Sequence, residues 1–414
     1  MATSWDDRYA QRTQRMKGSA IRELLKFTED PEMISFAGGM PAPDAFPTEE
    51  FTAACNRVLQ EQSEQALQYG STDGYYPLRK MIADNSRRYG IEVTPENILI
   101  TSGSQQALDL LGRIFINPGD RIVVENPTYV GALQAWNAYG AEYIPVPFDE
   151  EGMITSELEK SLRSGPKFIY VLPNFQNPTG VTLSFERRLQ LIELSEKYGV
   201  PIVEDDPYGQ LRFEGENLPP IEVLDSQTRA QDGCYSGNVI YTSTFSKTLA
   251  PGIRLAWVIA PPEVIQKLIM AKQGTDLHTS TFNQMIAYEV GKDGFINEHV
   301  KTIRKIYRER RDVMLDTLSE HMPEGVKWTH PHGGLFLWLT LPDCIDSQEL
   351  LQEALKFKVA FVPGVSFYAH GGHLNTMRLN FSYATPELIN EGIGRLAKAI
   401  KQFIADNESG KNQA

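Results

Sequence analysis

From about residue 50 to residue 290 the chain alternates short apolar runs with stretches of helical pattern, and this rhythm restricts its fold more than any other feature. Arg121-Ile122-Val123-Val124 is followed by a helical pattern over Val130–Tyr139, and that by Glu142-Tyr143-Ile144-Pro145-Val146. Strand–helix–strand repetition predicts an α/β fold, a mostly parallel sheet covered by helices on both faces. Sheets of this kind bind ligands beyond the carboxyl ends of their strands. The residues that follow each apolar run are therefore the candidates for function. At 414 residues the chain is long enough for two domains and a large core.

The run Val239-Ile240-Tyr241 leads into Ser243-Thr244-Phe245-Ser246-Lys247-Thr248-Leu249-Ala250-Pro251-Gly252-Ile253-Arg254. An isolated lysine at a strand end is ordinarily a solvated charge. Here two hydroxyls precede Lys247 and Arg254 follows it, which suits a phosphate held beside an amine that forms a Schiff base. Asn97-Ile98-Leu99-Ile100 leads into Thr101-Ser102-Gly103-Ser104-Gln105, which opens a helix at Ala107. A Gly-Ser turn at a helix N-terminus offers backbone N–H groups to an anion, although by itself it also reads as a simple serine cap. Val200-Pro201-Ile202-Val203 runs into Glu204-Asp205-Asp206-Pro207-Tyr208. Adjacent carboxylates such as Asp205 and Asp206 are more often exposed loop charges, but here a strand leads straight into them. Phe168-Ile169-Tyr170-Val171-Leu172 precedes Asn174-Phe175-Gln176-Asn177-Pro178-Thr179-Gly180, and Met377-Arg378-Leu379-Asn380-Phe381-Ser382 lies near the end of the chain.

Taken together these segments resemble the class I/II aminotransferases, the fold-type I family of enzymes that use pyridoxal 5'-phosphate (PLP). The resemblance runs from about Ser19 to Ile404. It implies a large domain with a mostly parallel seven-stranded sheet (51–290), a smaller α+β domain (291–414) and an N-terminal segment (1–50) that joins the smaller domain. It also implies a set of roles. Ser102, Gly103, Ser104, Thr244 and Arg254 form the phosphate cup, with Gln105 and Ser246 beside them. Asp205 pairs with the pyridine nitrogen and keeps it protonated. Tyr208 and Asn177 hydrogen-bond the ring oxygen, and Tyr129, which otherwise reads as a core tyrosine, stacks on the ring. Lys247 holds the cofactor as an imine and, once displaced, moves the substrate proton. Arg378 clamps the substrate carboxylate with help from Asn177.

Ser19-Ala20-Ile21-Arg22-Glu23-Leu24, Phe36-Ala37-Gly38-Gly39-Met40-Pro41-Ala42-Pro43 and Leu67-Gln68-Tyr69-Gly70-Ser71-Thr72-Asp73-Gly74-Tyr75 are similar to the 2-aminoadipate branch, which includes broad-specificity aromatic aminotransferases. The resemblance places Ser19, Arg22 and Gly39 at the substrate. Arg22 would bind a distal carboxylate or swing away from an apolar side chain; otherwise it is a surface helix residue. The usual Ser-Thr of the branch is Ser19-Ala20 here, which removes a hydroxyl. Tyr69 would reach the partner subunit's phosphate, implying a homodimer with shared active sites. The substrates implied are an L-amino acid and a 2-oxo acid. The motifs bind cofactor without fixing which bond breaks, so a carbon–sulfur lyase or a decarboxylase is the alternative. An aminotransferase-like regulator would need a basic winged-helix domain ahead of Ser19, and an inactive homologue would not be expected to keep Lys247, Asp205, Asn177 and Arg378.

A net charge of −13 argues against a nucleic-acid surface. Cys55, Cys234 and Cys344 show neither metal-ligand spacing nor a disulfide framework, which fits a cytoplasmic protein without metal. The N-terminus lacks the apolar core of a signal peptide, and no apolar run approaches the ~18 residues that would span a membrane. Glu298–His321 reads as one long helix whose basic run Arg308-Glu309-Arg310-Arg311 is expected on a solvated face. Gly334–Leu339, Val359–Pro363 and Met377–Phe381 are strand candidates for the smaller domain.

Overall fold

The structure, a computed structural model, describes residues 3–16, 18, 30–87, 93–228 and 235–411. Its strands are β1 (Ile34–Ser35), β2 (Ile98–Thr101), β3 (Arg121–Asn126), β4 (Glu142–Asp149), β5 (Gly152–Met153), β6 (Ile169–Val171), β7 (Ile202–Asp205), β8 (Val239–Thr244), β9 (Ala256–Ile259), β10 (Lys327–Trp328), β11 (Phe336–Thr340), β12 (Val359–Ala360), β13 (Val362–Pro363) and β14 (Thr376–Asn380). The large sheet has the order β2-β9-β8-β7-β6-β3-β4-β5. β3, β4, β6, β7 and β8 pair in parallel, while β9 runs antiparallel to both its neighbours. The sheet thus contains the seven expected strands and an eighth, the two-residue β5, which pairs antiparallel with the outer end of β4. Every residue of β2, β6, β7 and β9 is buried, as a sheet with both faces covered requires.

The helix expected after β3 spans Val130–Asn137. Because β2 and β8 are each antiparallel to β9, β2 points the same way as the parallel strands. The carboxyl ends of β2, β3, β6, β7 and β8 therefore open on one edge, and the loops carrying the candidate residues meet there.

A second, antiparallel sheet has the order β10-β11-β14-β13. Its pairing sets Arg378 in the middle of β14, opposite Trp338 on one side and Val362 on the other. The expected strand Val359–Pro363 is divided at Phe361, so that β12 pairs with β1 and β13 with β14. Residues 34–45, 303–318, the second sheet and the C-terminal helix share one apolar cluster. The clusters around the large sheet are drawn from residues 54–290.

The long helix spans Phe295–His321, starting three residues before the expected boundary, after Gly294 in the left-handed region. Its basic run is solvated only in its first half, at Arg308 and Glu309. Arg310 and Arg311 are buried, because the helix crosses the N-terminal segment and the loop ahead of β11. Arg310 pairs with Asp44 at 2.8 Å and donates to the Ser382 carbonyl; Arg311 pairs with Glu214 at 2.5 Å and donates to the Pro331 carbonyl. Buried guanidinium groups need such partners.

Candidate active site

The strand ends enclose a cavity of about 270 Å³ lined by Gly39, Ser104, Gln105, Tyr129, Asn177, Asp205, Tyr208, Thr244, Ser246, Lys247, Arg254 and Arg378, together with Leu172, Pro207, Pro251 and Phe336. Residues 339 positions apart in sequence, from Gly39 to Arg378, are thereby brought together.

Asp205 is the last residue of β7 and is buried. Tyr170, from the neighbouring strand β6, donates to its Oδ2 at 2.8 Å. Its Oδ1 is buried and has no partner among the described residues. Burial pushes the carboxyl up to about 7; the Tyr170 bond opposes this, and the nearby Asp206 charge adds to it. Lys247 Nζ donates to the Gly39 carbonyl at 2.8 Å. Burial first, then the positive charges of Arg378 and Arg254, bring the ammonium down to about 8. This lysine is close to losing its proton in neutral water, as an amine that acts as a nucleophile and base must.

Arg378 is held by Asn177, whose Oδ1 accepts from Nη1 at 2.8 Å, and by the Ala37 carbonyl, which accepts from Nη2 at 2.7 Å. The guanidinium lies over the rings of Phe336 and Phe367, at 4.2 and 5.1 Å from their centroids. Burial brings its pKa down to about 10, and Nε has no partner among the described residues. Such a group is a fixed, dry cation suited to a carboxylate. Tyr208 hydrogen-bonds Asn177, and burial raises its phenol well above the usual range.

At the opposite end stands the turn ahead of the helix Ser104–Phe115. Gly103 has φ +90°, and a Cβ there would lie 2.2 Å from Arg254 Nη2, so only glycine lets the guanidinium pack against this turn. Thr244 Oγ1 donates to the Leu255 carbonyl at 2.9 Å and accepts from the Ser246 N–H at 3.0 Å. Ser104 Oγ is buried without a partner among the described residues. The Ser102 hydroxyl, expected in the phosphate cup, is turned away from it. Ser102 Oγ donates to Asp276 Oδ2 at 3.0 Å and lies 3.1 Å from Thr279 Oγ1.

An unpartnered hydroxyl, carboxylate oxygen and guanidinium N–H on three walls of one cavity fit a ligand with an anionic end, a ring N–H donor and an adjoining carboxylate. PLP bearing an amino acid has those groups. Tyr69 is 80% exposed, meets the edge of the His278 ring at 5.9 Å and is not part of the cavity wall of a single chain. Ser19 and Arg22 lie outside the described residues.

Two further carboxylates are buried beside the site. Asp206, which reads as an exposed loop charge, is only 6% exposed and accepts from Asn174, Gly209 and Tyr241. Glu125, which sequence reasoning passed over, is buried at the end of β3 and accepts from Gln176 Nε2 and the Leu172 N–H. Burial lifts its pKa to about 8. Its position just ahead of the Asn126–Tyr129 loop was the available signal. Lys272, fully buried beside the Ser102 turn, gave no signal, since nothing local distinguishes it on its helix.

A buried lysine poised to lose its proton, a carboxylate behind it and two guanidinium groups at either end define a group-transfer site for amino and carboxyl chemistry. Residues 32–396 match the family aminotransferase class I and II, and this chain belongs to that family. It is 50% identical over 394 residues to aromatic-amino-acid aminotransferase 1 of Thermococcus litoralis, covering 94% of this chain and 92% of that one. It is 44% identical over 403 residues to 2-aminoadipate transaminase of Thermus thermophilus, covering 97% and 98%. Among solved structures, it is similar to the alpha-aminoadipate aminotransferase LysN of Thermus thermophilus complexed with N-(5'-phosphopyridoxyl)-L-leucine. The TM-score there is 0.91 at 43% identity, over 97% of this chain and 100% of that one. The chain is an aminotransferase.

Among the described residues no helix is long and apolar enough to cross a membrane.

Proposed function

We propose that this aminotransferase moves an amino group from an L-amino acid to a 2-oxo acid such as 2-oxoglutarate, with PLP held in the cavity. The observation that carries the reading is the convergence of Lys247, Asp205, Arg254 and Arg378 on one cavity of about 270 Å³. Bound there, PLP supplies an aldehyde for amines and a ring that accepts electrons. Arg254, Ser104, Thr244, Ser246 and the N–H groups of the Gly103–Gln105 turn hold its phosphate. Asp205 Oδ1, buried without a partner among the described residues, would accept from the ring nitrogen, Tyr208 and Asn177 would hydrogen-bond the ring oxygen, and Tyr129 would cover the ring. Ser102 and Gly103 serve by shaping the turn rather than by a side-chain contact.

Arg378 and Asn177 fix the substrate carboxylate, which orients the Cα–H toward Lys247. Lys247 Nζ, its pKa lowered to about 8 by burial and by two guanidinium charges, would be the group that takes and holds that proton. The names of the relatives support 2-aminoadipate, glutamate or an aromatic amino acid as donor, with branched-chain donors also open. Gly39, Ser19 and Arg22 would then face the substrate side chain. Tyr69 completes the phosphate site of a second copy, so the enzyme works as a homodimer with shared sites. The chain divides into a PLP-binding domain (51–290) and a smaller one (291–414) joined by residues 1–50, as the β1–β12 pairing and the shared apolar cluster support. Few, scattered cysteines fit a cytoplasmic setting.

Two measurements test the reading. Protein incubated with PLP, reduced with borohydride and digested should carry the pyridoxyl group on the peptide containing Lys247. A panel of amino acids should then yield glutamate from 2-oxoglutarate. Labelling of a different lysine, or release of pyruvate, sulfide or carbon dioxide in place of transfer, overturns it.

A further inference from the structure

We infer that Asp206 is a positioning residue that sets Tyr208 and Asn177 against the cavity; the inference rests on the function proposed above. Asp206 itself is absent from the cavity wall, whereas its successors Pro207 and Tyr208 line it. Its backbone is fixed first. The Asp206 N–H donates to the Thr242 carbonyl at 2.8 Å, and Ser243 Oγ donates to the Asp206 carbonyl at 2.7 Å, so the residue extends the β7–β8 pairing by one step.

The side chain then reaches forward over the turn. Oδ1 accepts from the Gly209 N–H at 2.9 Å, a carboxylate spanning its own turn and closing it around Tyr208. A Cβ at Gly209 would lie 2.4 Å from Oδ2, so the carboxylate fills the space that any side chain there would take. The Tyr208 carbonyl accepts from Leu211 N–H at 2.7 Å. Tyr208 is thus pinned on both sides.

The same Oδ1 accepts from Asn174 Nδ2 at 2.9 Å, and Asn174 Oδ1 in turn accepts from Arg188 Nη2 at 2.7 Å. Arg188 is fully buried and gives its other N–H groups to the Leu183, Pro173 and Pro219 carbonyls. Asn174 opens the loop that carries Asn177. One buried carboxylate therefore ties together the two loops that supply Tyr208 and Asn177, and Arg188 anchors it to the helix Phe185–Tyr198. The remaining oxygen, Oδ2, accepts from Tyr241 at 3.2 Å. Asp205, Glu204 and Arg188 are the charged groups whose fields act with that of Asp206 here, alongside the Tyr241 phenol.

Asp206→Ala, Asp206→Asn, Tyr208→Phe and the double variant Asp206→Ala/Tyr208→Phe separate this role from a charge effect. The readouts are the pH midpoint of the visible absorption band of the PLP-loaded enzyme, and kcat and KM. Asp206→Ala should move the midpoint upward in the same direction as Tyr208→Phe and lower kcat roughly tenfold, the worth of a lost hydrogen bond to a charged group. KM for the amino donor should change less. Asp206→Asn retains the acceptor oxygen at Oδ1 and should restore the wild-type midpoint. The double variant should be no worse than Tyr208→Phe alone.

An Asn variant as impaired as Ala, an additive double variant, or an Ala variant with the wild-type midpoint each overturns the inference. If Asp206→Ala does not fold, Asn174→Ala takes its place, and a wild-type midpoint in that variant likewise overturns it. A wild-type enzyme without any visible band on PLP addition would instead overturn the proposed function.

Discussion

Asp205 and Lys247 stand in a wall that penalises charge, and each loses stability for the sake of the reaction. Asp205 has its carboxyl raised to about 7 by burial, against 3.8 in an unfolded chain. The folded protein then binds the proton more tightly, so stability falls as pH rises from about 4 to 7, and the penalty is complete above 7. Asp205→Asn should therefore make the cofactor-free protein more stable at pH 8, by about 4 kcal/mol, with the advantage shrinking as pH falls from 7 to 4 and gone below that. The same change should cut amino-group transfer by two to three orders of magnitude. Melting curves across pH and an assay of the loaded enzyme check both halves; a variant that melts lower at pH 8 refutes the first. For Lys247 the sign reverses. Its ammonium is lowered to about 8 from 10.5, so the unfolded chain binds the proton more tightly, and stability rises with pH between those values. Cofactor-free Lys247→Met should be more stable than wild type at pH 7, by about 3 kcal/mol, and match it above pH 10.5.

The helix Ser104–Phe115 shows how an element is tuned from behind. The Ser102 N–H donates to Gln106 Oε1 at 2.8 Å, and the same oxygen accepts from Lys272 Nζ at 2.7 Å. Lys272, fully buried, also holds Asp276 at 2.8 and 2.9 Å and Thr279 at 3.0 Å. Lys272→Met would leave Asp276 without its cation beside the turn. The expected loss is about 2–3 kcal/mol, short of that for a fully dry pair because Asp276 keeps some contact with water. Inorganic phosphate should bind the variant more weakly, which calorimetry can measure; wild-type phosphate affinity would show that the network does not shape the turn. The strand ends, the Gly-Ser turn and the lysine were legible in the sequence because each rests on local pattern: an apolar run, then glycine, hydroxyl or charge. The orientation of Ser102 was not, since it depends on Asp276, 174 residues away. Nor were the burial of Arg310, which depends on Asp44, and that of Asp206, which depends on Asn174 and Tyr241. A charge run reads as solvated until the partner that buries it is known.

At the scale of the whole molecule, the chain closes on itself and leaves Tyr69, a proposed site residue, outside the cavity wall. β1 returns to pair with β12, the Ala42 N–H reaches the Tyr307 hydroxyl at 3.1 Å, and the Phe36 carbonyl accepts from the Asn380 N–H of β14 at 2.9 Å, so residues 34–45 pack as one body with the long helix and the second sheet. That placement brings Gly39 to the cavity that the large sheet opens. Tyr69, by contrast, projects from the surface at 80% exposure, in a stretch of sequence that also exposes Leu67 and Tyr76. A tyrosine of this exposure buries little of its ring in a single chain beyond its edge contact with His278, and in the proposed dimer a second copy would give it a ligand. Mixing Tyr69→Phe subunits with Lys247→Ala subunits yields hybrid dimers in which one site has both lesions and the other has neither. If sites are shared, the mixture should exceed the combined activity of its two parents, and the excess should grow with the time allowed for subunit exchange. Activity equal to the parents' sum, in a mixture shown by mass to contain hybrids, would place Tyr69 and Lys247 of one chain at the same site. Full activity from a monomer at micromolar concentration would be equally decisive, because Tyr69 would then have no partner site to serve.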